Sequence, residues 1–317
     1  MGKASRTKRE PDRRARIAAQ REAERRRGQR KRIYLAGGSV LVVAIIAIAF
    51  VIFKGSGSST SGASNGPTGS ALAKVTSEVT GVPASVTDKI AGGGVAADQF
   101  IPGSKIASAA STTGAYFATV NGKALTANGK PEFLYMGAEY CPYCAAERWS
   151  MISALSRFGT FTGLTTKHSS STDVDPNTPT WTFYGSKYTS NYISFTSVEE
   201  TTNIPNGSGG YTTLQTPTSA QALLGQTYDS TGSIPFIDIG NKYVEVGNLQ
   251  PYGPQLLTGK TWAQVATTLS QPTSTIAQGA IGNANYLTAA ICAQTGNLPA
   301  TACTPTIKGL ESNLAKA

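Results

Sequence analysis

The sequence predicts an α/β domain, and three features along the chain predict it. The apolar run from Phe133 to Ala138 is short and aromatic enough for a buried central strand, and it leads directly into Cys141. The next segment, Ala145 to Phe158, repeats apolar residues at helical spacing. Further on, residues 234–246 hold two apolar runs joined by Gly240-Asn241, the pattern of a β-hairpin. Strands and helices alternate in this order, which favours an α/β fold.

Other elements fill in the rest of the predicted domain. A further strand and two terminal helices are predicted at Tyr116 to Val120, Trp262 to Leu269 and Ile276 to Ile291. Residues Thr165 to Tyr228 are rich in Thr, Ser, Asn and Gly. They are expected to form an irregular or partly stranded insertion with a short helix around Ser219 to Leu224.

The charge of the chain is concentrated at its N-terminus. Residues 1–32 contain 14 Lys and Arg against four acidic residues, a net charge of +10 that equals the net charge of the whole chain. The remaining 285 residues are therefore electroneutral. A nucleic-acid-binding domain needs a basic surface to neutralise phosphates, so we expect no nucleic-acid partner.

An uncharged run of 21 residues, Ile33 to Phe53, follows the basic tail and is closed by Lys54. About 20 apolar residues span the hydrocarbon core of a bilayer as a helix, which predicts a transmembrane helix in contact with lipid. A cleaved signal peptide is the alternative, although its apolar core usually has about 7–15 residues. The basic tail would place the N-terminus in the cytoplasm and the C-terminal domain outside the cell membrane, as a single-pass protein.

The predicted organisation has six parts. Residues 54–70 are rich in Gly, Ser and Thr and are expected to be a flexible linker. The parts are a basic cytoplasmic tail (1–32), the transmembrane helix (33–53), the linker (54–70), an N-terminal extension with one or two short helices (71–114), the main domain (115–270) with its insertion (about 165–228), and a C-terminal helical extension (271–317).

The motif Cys141-Pro142-Tyr143-Cys144 stands where the predicted strand meets the predicted helix. The unpaired N–H groups and the positive end of a helix dipole stabilise a thiolate at this position. Pro142 suits the first helical turn, where its missing N–H costs nothing. Cys-x-x-Cys thiols have pKa values of about 3.5 to 7.5 against about 8.5 for a free thiol. We expect Cys141 to be the attacking nucleophile and Cys144 to resolve the mixed disulfide.

Two other interpretations of this motif remain. Structural zinc needs four ligands, and the single histidine, His168, has no second ligand pair near it. The spacing of Cys292 and Cys303 is not that of a zinc site either, so neither metal nor cofactor is expected. A stable structural disulfide between Cys141 and Cys144 is the second alternative.

The dipeptide Ile234-Pro235 precedes the predicted hairpin. Proline is normally excluded from a strand interior, so its place at the first residue needs a reason. A cis bond would leave the backbone of Ile234 free to bind a substrate peptide in extended form. An ordinary trans proline at a strand entrance is the alternative.

The last two cysteines, Cys292 and Cys303, have ten residues between them. This spacing suits a local structural disulfide worth about 2–4 kcal/mol through restriction of the unfolded chain. A second redox pair that exchanges electrons with Cys141 and Cys144 is the alternative.

These residues resemble known families. The order strand, Cys-Pro-Tyr-Cys, helix, Ile-Pro, hairpin and helix resembles the thioredoxin-like superfamily over roughly Ala115 to Ser270. The strings YMGAEYCPYCAAERW, beginning at Tyr135, and LSRFG, beginning at Leu155, resemble more closely the membrane-tethered family named domain of unknown function 929. The resemblance implies a thioredoxin-like fold, a central mixed sheet flanked by helices. The insertion would lie between the Cys-x-x-Cys helix and the cis-proline strand.

The chain also departs from thioredoxin. Pro142-Tyr143 replaces Gly-Pro, Tyr140 replaces the usual Trp, and no buried proton-accepting Asp is identified. Glu139 or Glu147 could take that role, with Arg148 modulating the thiolate. Solvated or packing roles are the alternative for all three.

Together these features predict a thiol–disulfide oxidoreductase or isomerase acting on cysteines of exported proteins, recycled by a membrane redox partner. The alternative is a non-catalytic binding or structural module with a stable disulfide. We assign Cys141 and Cys144 as catalytic. The substrate-binding residues are expected to be Tyr140, Pro142, Tyr143, Ile234 and Pro235. The sequence leaves open whether electrons flow in the direction of oxidation, reduction or isomerisation.

Overall fold

A computed structural model describes residues 66–93, 117–247 and 252–314 of the chain, and these residues form a mixed α/β fold around a mixed sheet. Side chains cap several helices at their first turn; Thr218 and Thr261, for example, each form a reciprocal capping box. In chain order the helices are α1 (Gly69–Thr80), α2 (Ala84–Ile90), α3 (Pro142–Leu155), α4 (Ser219–Tyr228), α5 (Trp262–Leu269), α6 (Thr275–Gln294) and α7 (Pro305–Glu311).

The strands form one central sheet and three two-stranded sheets. In chain order they are β1 (Ala118–Thr119), β2 (Thr126–Ala127), β3 (Lys130–Gly137), β4 (Gly159–Thr162), β5 (Thr165–His168), β6 (Pro179–Thr182), β7 (Lys187–Ser190), β8 (Ser194–Glu199), β9 (Thr201–Pro205), β10 (Tyr211–Thr213), β11 (Phe236–Ile239) and β12 (Tyr243–Val246). The central sheet has the order β1-β12-β11-β3-β2, and β8 also pairs with β3. Strand β3 is antiparallel to β11 and parallel to β8.

Strand β3 is buried on both faces, which explains its nearly continuous apolar sequence. Phe133 and Tyr135 belong to the large core on the side of α3 and α6, whereas Leu134 and Met136 belong to a smaller apolar cluster. The smaller cluster is partly covered by Leu224 of α4. Alternate side chains of a strand point to opposite faces, so β3 joins two apolar layers.

The predicted hairpin and terminal helices are confirmed. Strands β11 and β12 pair through residues 236–239 and 243–246, and both turn residues, Gly240 and Asn241, have positive φ angles of 68° and 54°. Such angles suit Gly and Asn. Helix α5 has the predicted bounds, and α6 extends the predicted helix to Thr275–Gln294. Helices α1 and α2 lie where one or two short helices were expected.

The predicted insertion needs a correction. Part of it, β8, is a strand of the central sheet and pairs in parallel with β3 from Glu132–Ser194 to Gly137–Glu199. The remainder forms the antiparallel pairs β5–β6 and β9–β10, and β7, which pairs with β4 just before the segment. The short helix predicted around Ser219 to Leu224 is confirmed as α4. The segment therefore contributes to the framework of the domain instead of standing outside it.

The predicted fold class and localisation also need a correction. Within the parts of the chain that the structure describes, no helix is both long and apolar enough to cross a lipid bilayer. The longest, α6, has 20 residues but carries amide side chains at Asn283 and Asn285. The predicted transmembrane helix and bilayer contact, Ile33 to Phe53, lie outside the described residues, as does the basic tail. The fold class of the described residues is therefore mixed α/β. The predicted single-pass arrangement, with a cytoplasmic N-terminus and an extracytoplasmic domain, is contradicted by this finding.

Candidate functional site

The first cysteine of the motif lies at the junction between β3 and α3. Cys141 is the N-cap residue of α3, with extended backbone angles, and Pro142 occupies the first helical turn. The Sγ atom of Cys141 accepts a hydrogen bond from the backbone N–H of Cys144 at 3.3 Å. The side chain thus satisfies one of the N–H groups that a helix leaves unpaired at its N-terminus. This is the arrangement that the motif predicted.

The two cysteines differ in burial and in acidity. They are free thiols, Cys141 is 5% exposed, and Cys144 is fully buried. Burial raises the pKa of the Cys141 thiol, but hydrogen bonds from Cys144 and the positive charge of Arg148 outweigh it, so the pKa lies below its ordinary value. Burial and the neighbouring Cys141 raise the pKa of Cys144 well above its ordinary value. The pair therefore has one sulfur suited to initial attack and one that stays protonated.

The chain brings Ile234 to the same place from 93 residues away. The carbonyl oxygen of Ile234 lies 3.9 Å from Sγ of Cys141, and the Ile234-Pro235 peptide bond is cis. The register explains the approach, because Phe236 at the start of β11 pairs with Met136 near the end of β3. The predicted substrate-binding dipeptide therefore lies beside the predicted nucleophile.

Tyrosine rings lie on another side of Cys141. The ring of Tyr140 stacks on that of Tyr211 in β10, with centroids 4.1 Å apart and an angle of 7° between the planes. The hydroxyl of Tyr211 donates to Oγ of Ser170 at 2.7 Å, and the N–H of Ser170 donates to the carbonyl of Tyr140 at 2.8 Å. Tyr143, on the first turn of α3, is partly exposed. These contacts fix the position of Tyr140 next to Cys141.

A shallow cleft of about 170 Å³ opens next to Ile234. Its walls come from α4, the end of β3 and the loop that enters β11, and they are mainly apolar. They include Met136, Ala222, Ile234 and Phe236, with carboxylates from Glu200 and Asp229. The cleft shares Ile234 with the cysteine pair, so the two are neighbours on one surface.

Close to the cysteines lies a buried ion pair of Arg148, which the sequence suggested as a modulator of the thiolate, with Glu199, which the sequence did not point to. Arg148 on α3 is fully buried and pairs with Glu199 at the end of β8, from Nε to Oε1 at 2.9 Å and from Nη2 to Oε2 at 2.5 Å. Its guanidinium carbon lies 5.8 Å from the ring centroid of Tyr135. A solvated role for Arg148, one of the alternatives left open, is wrong. The sequence contained one signal, since a residue four positions after Cys144 shares its helix face.

The two candidate proton acceptors have other partners. Glu139 is buried and forms an ion pair with Lys167 at 3.2 Å. Glu147 is buried against α6, where Nδ2 of Asn283 donates to both of its carboxylate oxygens. Burial raises the pKa of Glu147 to about 8. Neither the ion pair nor the Asn283 contact involves a cysteine.

The remaining two cysteines form a disulfide between α6 and the segment before α7. Both Cys292 and Cys303 are buried. The pairing is the predicted one, and the burial limits access by another thiol. A purely structural role stays a prediction.

Comparison with known proteins gives one family. The model of the family described as "Domain of unknown function (DUF929)" matches residues 116–208, which contain β3, the cysteine motif and α3 but not Ile234 or the second cysteine pair. This match supports the predicted resemblance to that family. No curated protein and no solved structure matches the chain. The resemblance to the thioredoxin-like superfamily stays a prediction.

Proposed function

We propose that this protein is a thiol–disulfide oxidoreductase or isomerase that acts on cysteines of other proteins through Cys141 and Cys144. One observation carries the proposal. Sγ of Cys141 sits at the N-terminus of α3, where it accepts the N–H of Cys144 and lies 3.9 Å from the carbonyl of Ile234. A thiolate at a helix N-terminus beside a backbone carbonyl that leads into a strand is suited to thiol exchange with a bound peptide.

The proposed fold family is the thioredoxin-like superfamily. The order of elements supports it: β3 leads into the cysteine motif and α3, and the Ile234-Pro235 dipeptide leads into β11, the antiparallel neighbour of β3. The sequence resemblance described above supports it as well. Fold resemblance alone would not give a function, so the argument rests on the site.

The proposed reaction needs no cofactor. The thiolate of Cys141 attacks one sulfur of a substrate disulfide; a Cys141–substrate bond forms and the second substrate sulfur leaves as a thiolate that takes up a proton. Cys144 then attacks Sγ of Cys141, the Cys141–Cys144 disulfide forms, and the first substrate sulfur leaves and is protonated. The substrate is reduced by two electrons and the cysteine pair is oxidised. The reverse sequence oxidises a substrate dithiol.

The substrate-binding residues remain those predicted from the sequence. A substrate chain would lie along Ile234-Pro235, with Pro142 below it and the rings of Tyr140 and Tyr143 beside the reacting sulfur. The cleft next to Ile234 would receive an apolar side chain adjacent to the substrate cysteine, since its walls are mainly apolar. The proposed partners are cysteine-containing proteins and a redox partner that restores the pair.

A second candidate is a non-catalytic module in which Cys141 and Cys144 form a stable disulfide. The burial of both sulfurs favours it, because an inaccessible pair is hard to reduce. The reduction potential of the pair separates the two candidates. A potential below about −300 mV together with no reduction of insulin would support the structural module.

The direct test is trapping with Cys144→Ala. This variant cannot resolve the mixed disulfide, so a bound protein should stay covalently attached to Cys141. Release of that protein by dithiothreitol, and its absence in a Cys141→Ala/Cys144→Ala control, would support the proposed function. Equal capture by the double variant, or no capture together with an unreactive Cys141, would overturn it.

A further inference from the structure

Arg148 occupies an unusual position for a charged residue. It lies on α3 four residues after Cys144, so both side chains project from the same face of the helix. Its side chain has no exposure to solvent. A buried charge is costly unless it is paired and hydrogen-bonded, so a helix face that carries one beneath a thiol pair needs an explanation.

The guanidinium is held from two directions. Glu199 accepts from Nε and Nη2, and the carbonyl of Ala138 accepts from Nη2 at 2.8 Å. Glu199 stands at the end of β8, where the parallel register places it opposite Gly137 of β3. Ala138 is in the short loop between β3 and Cys141, and its backbone N–H also contacts the sulfur of Cys144. The same loop therefore touches the guanidinium on one side and the resolving sulfur on the other.

Close packing brings a third group into this layer. A Cβ atom at Gly137 would lie 2.2 Å from the hydroxyl oxygen of Tyr135 and 3.0 Å from Sγ of Cys144, so both atoms border the same small space. Within the described residues, neither the Tyr135 hydroxyl nor Nη1 of Arg148 has a hydrogen-bond partner. Buried polar atoms are almost always paired, and exceptions often mark a chemical role.

We propose that Arg148, fixed by Glu199, is a positioning residue that stabilises negative charge on Cys144 while Cys144 resolves the mixed disulfide. This inference rests on the proposed function and adds to it the group that makes the second step feasible. The residue acts on Cys144 through the local field and through the Ala138 loop, and it touches neither substrate nor reacting bond.

The step balances without another reactant. The sulfur of Cys144 attacks Sγ of Cys141, the new Cys141–Cys144 bond forms, and the bond from Cys141 to the substrate sulfur breaks. The proton lost by Cys144 ends on the leaving substrate thiolate. The guanidinium keeps its own proton throughout and stabilises the transient charge.

Electrostatics supports this arrangement. Burial raises the pKa of Cys144 well above its ordinary value, and the negative charge of Cys141 raises it further, whereas Arg148 lowers it. The groups that interact electrostatically with Cys144 include Cys141 at the N-cap of α3, Arg148 on α3, Tyr135 on β3 and Tyr140, and Glu199 on β8 acts on Arg148 and Tyr135. Within this set, Arg148 carries the positive charge.

The test compares charge-altering variants of the full-length chain. Arg148→Met removes the positive charge and should raise the pKa of the Cys144 thiol, measured by NMR of ¹³C-labelled cysteine, by about one unit or more. At pH 7 it should slow resolution of a preformed mixed disulfide between Cys141 and a model peptide about tenfold, since one pKa unit corresponds to a factor of ten in the thiolate fraction. Arg148→Lys should recover part of both effects.

Glu199→Gln should shift the pKa of Cys144 in the opposite direction to Arg148→Met. It keeps an oxygen acceptor for Arg148 and removes the opposing negative charge, so the pKa of Cys144 should fall. A merely structural role would not produce opposite shifts from the two sides of one ion pair. If Arg148→Met fails to fold, Arg148→Lys and Glu199→Gln decide the question.

Arg157→Met is the matched control. Arg157 is a partly buried arginine that follows the end of α3 opposite to the cysteines, and its Nη1 donates to Oδ1 of Asn285 on α6 at 2.7 Å. Its removal should lower stability and leave the pKa of Cys144 unchanged. Failure of wild type to form a mixed disulfide would refute the proposed function, while the NMR pKa would still test Arg148. If the pKa of Cys144 were unchanged in Arg148→Met and Glu199→Gln, or shifted in the same direction in both, the inference about Arg148 would be wrong. The proposed function would not be affected by that result.

Discussion

Asn283 on α6 donates its side-chain N–H groups to both carboxylate oxygens of Glu147 on α3, at 2.9 and 2.7 Å, and both residues are buried. This pair links the helix that carries the cysteines to the longest helix of the described fold. Glu245 on β12 and Tyr252 are the ionisable neighbours, and burial raises the pKa of each of them well above its ordinary value. The region therefore contains two buried carboxyl groups.

We predict that Glu147 makes the protein less stable as the pH rises. Burial raises the pKa of Glu147 from 4.5 to about 8, so the folded state binds a proton that the unfolded state releases. The stabilisation is complete below about pH 4.5, is lost progressively up to about pH 8, and amounts to roughly 3–5 kcal/mol over that range. Glu147→Gln should therefore flatten the dependence of the free energy of unfolding on pH, measured with urea between pH 5 and 8.

Part of this pH dependence should survive in the variant, because burial also raises the pKa of Glu245 well above its ordinary value. Glu78→Gln serves as the control, since Glu78 is a partly exposed residue of α1 in a 3.9 Å pair with Lys74 that contributes little. If the free energy of unfolding of Glu147→Gln changed with pH as steeply as that of wild type, Glu147 would not be the source of the pH dependence.

We predict that alkylation distinguishes the thiols of Cys141 and Cys144. The pKa of Cys141 is lowered and that of Cys144 is raised well above its ordinary value, so at a given pH a larger fraction of Cys141 than of Cys144 is thiolate, the reactive form. Limited iodoacetamide treatment of the mildly reduced chain should modify Cys141 at least about tenfold faster, as measured by mass mapping of peptides. In Cys141→Ser the remaining thiol should react slowly. Equal modification of both cysteines in wild type would refute the predicted division of roles.

We predict that Gly137 tolerates no side chain. A Cβ at this position would clash with the Tyr135 hydroxyl and lie 3.0 Å from Sγ of Cys144, in the buried half of β3. Gly137→Ala should lower the free energy of unfolding by about 1–3 kcal/mol, the usual cost of overpacking. Gly309→Ala is the matched control on α7, where nothing lies within 4 Å of the added atom. It should be neutral or stabilising by up to about 1 kcal/mol. If denaturant titrations gave the same change in the free energy of unfolding for Gly137→Ala and Gly309→Ala, the close packing between Gly137 and Cys144 would be contradicted.

The sequence predicted best the part of the candidate site whose signal comes from residues close together along the chain. Cys141 and Cys144 were identified because a strand, a Cys-Pro-x-Cys motif and a helical repeat follow one another within residues 133–158. Ile234 was predicted to bind substrate because its proline precedes a hairpin, in the order that resembles the thioredoxin-like superfamily. For the cysteines the neighbouring residues along the chain carry the signal, whereas for Ile234 the order of elements carries it.

The sequence did not reveal β8, and the ion pair was missed with it. The strand reads Ser194-Phe-Thr-Ser-Val-Glu199, with apolar residues only at Phe195 and Val198, so it lacks the alternation or the apolar run that marks a strand. Its polar side chains are satisfied by distant partners such as Glu132, which accepts from Thr196. The Arg148–Glu199 pair depends on the parallel register of β8 beside β3, and no local pattern encodes that register.

The last prediction concerns the disulfide between Cys292 and Cys303. It joins cysteines that are eleven positions apart in the chain and both sulfurs are buried, so we expect it to stabilise the fold without exchanging with Cys141 and Cys144. Cys292→Ala/Cys303→Ala should lower the free energy of unfolding by about 2–4 kcal/mol. The rate of Cys141 alkylation at pH 7 should stay at the wild-type value, because the second pair would not take part in the reaction. Graded reduction of wild type should open Cys141–Cys144 while Cys292–Cys303 remains closed. Simultaneous opening of both, together with slower turnover in the double variant, would instead indicate a second redox pair.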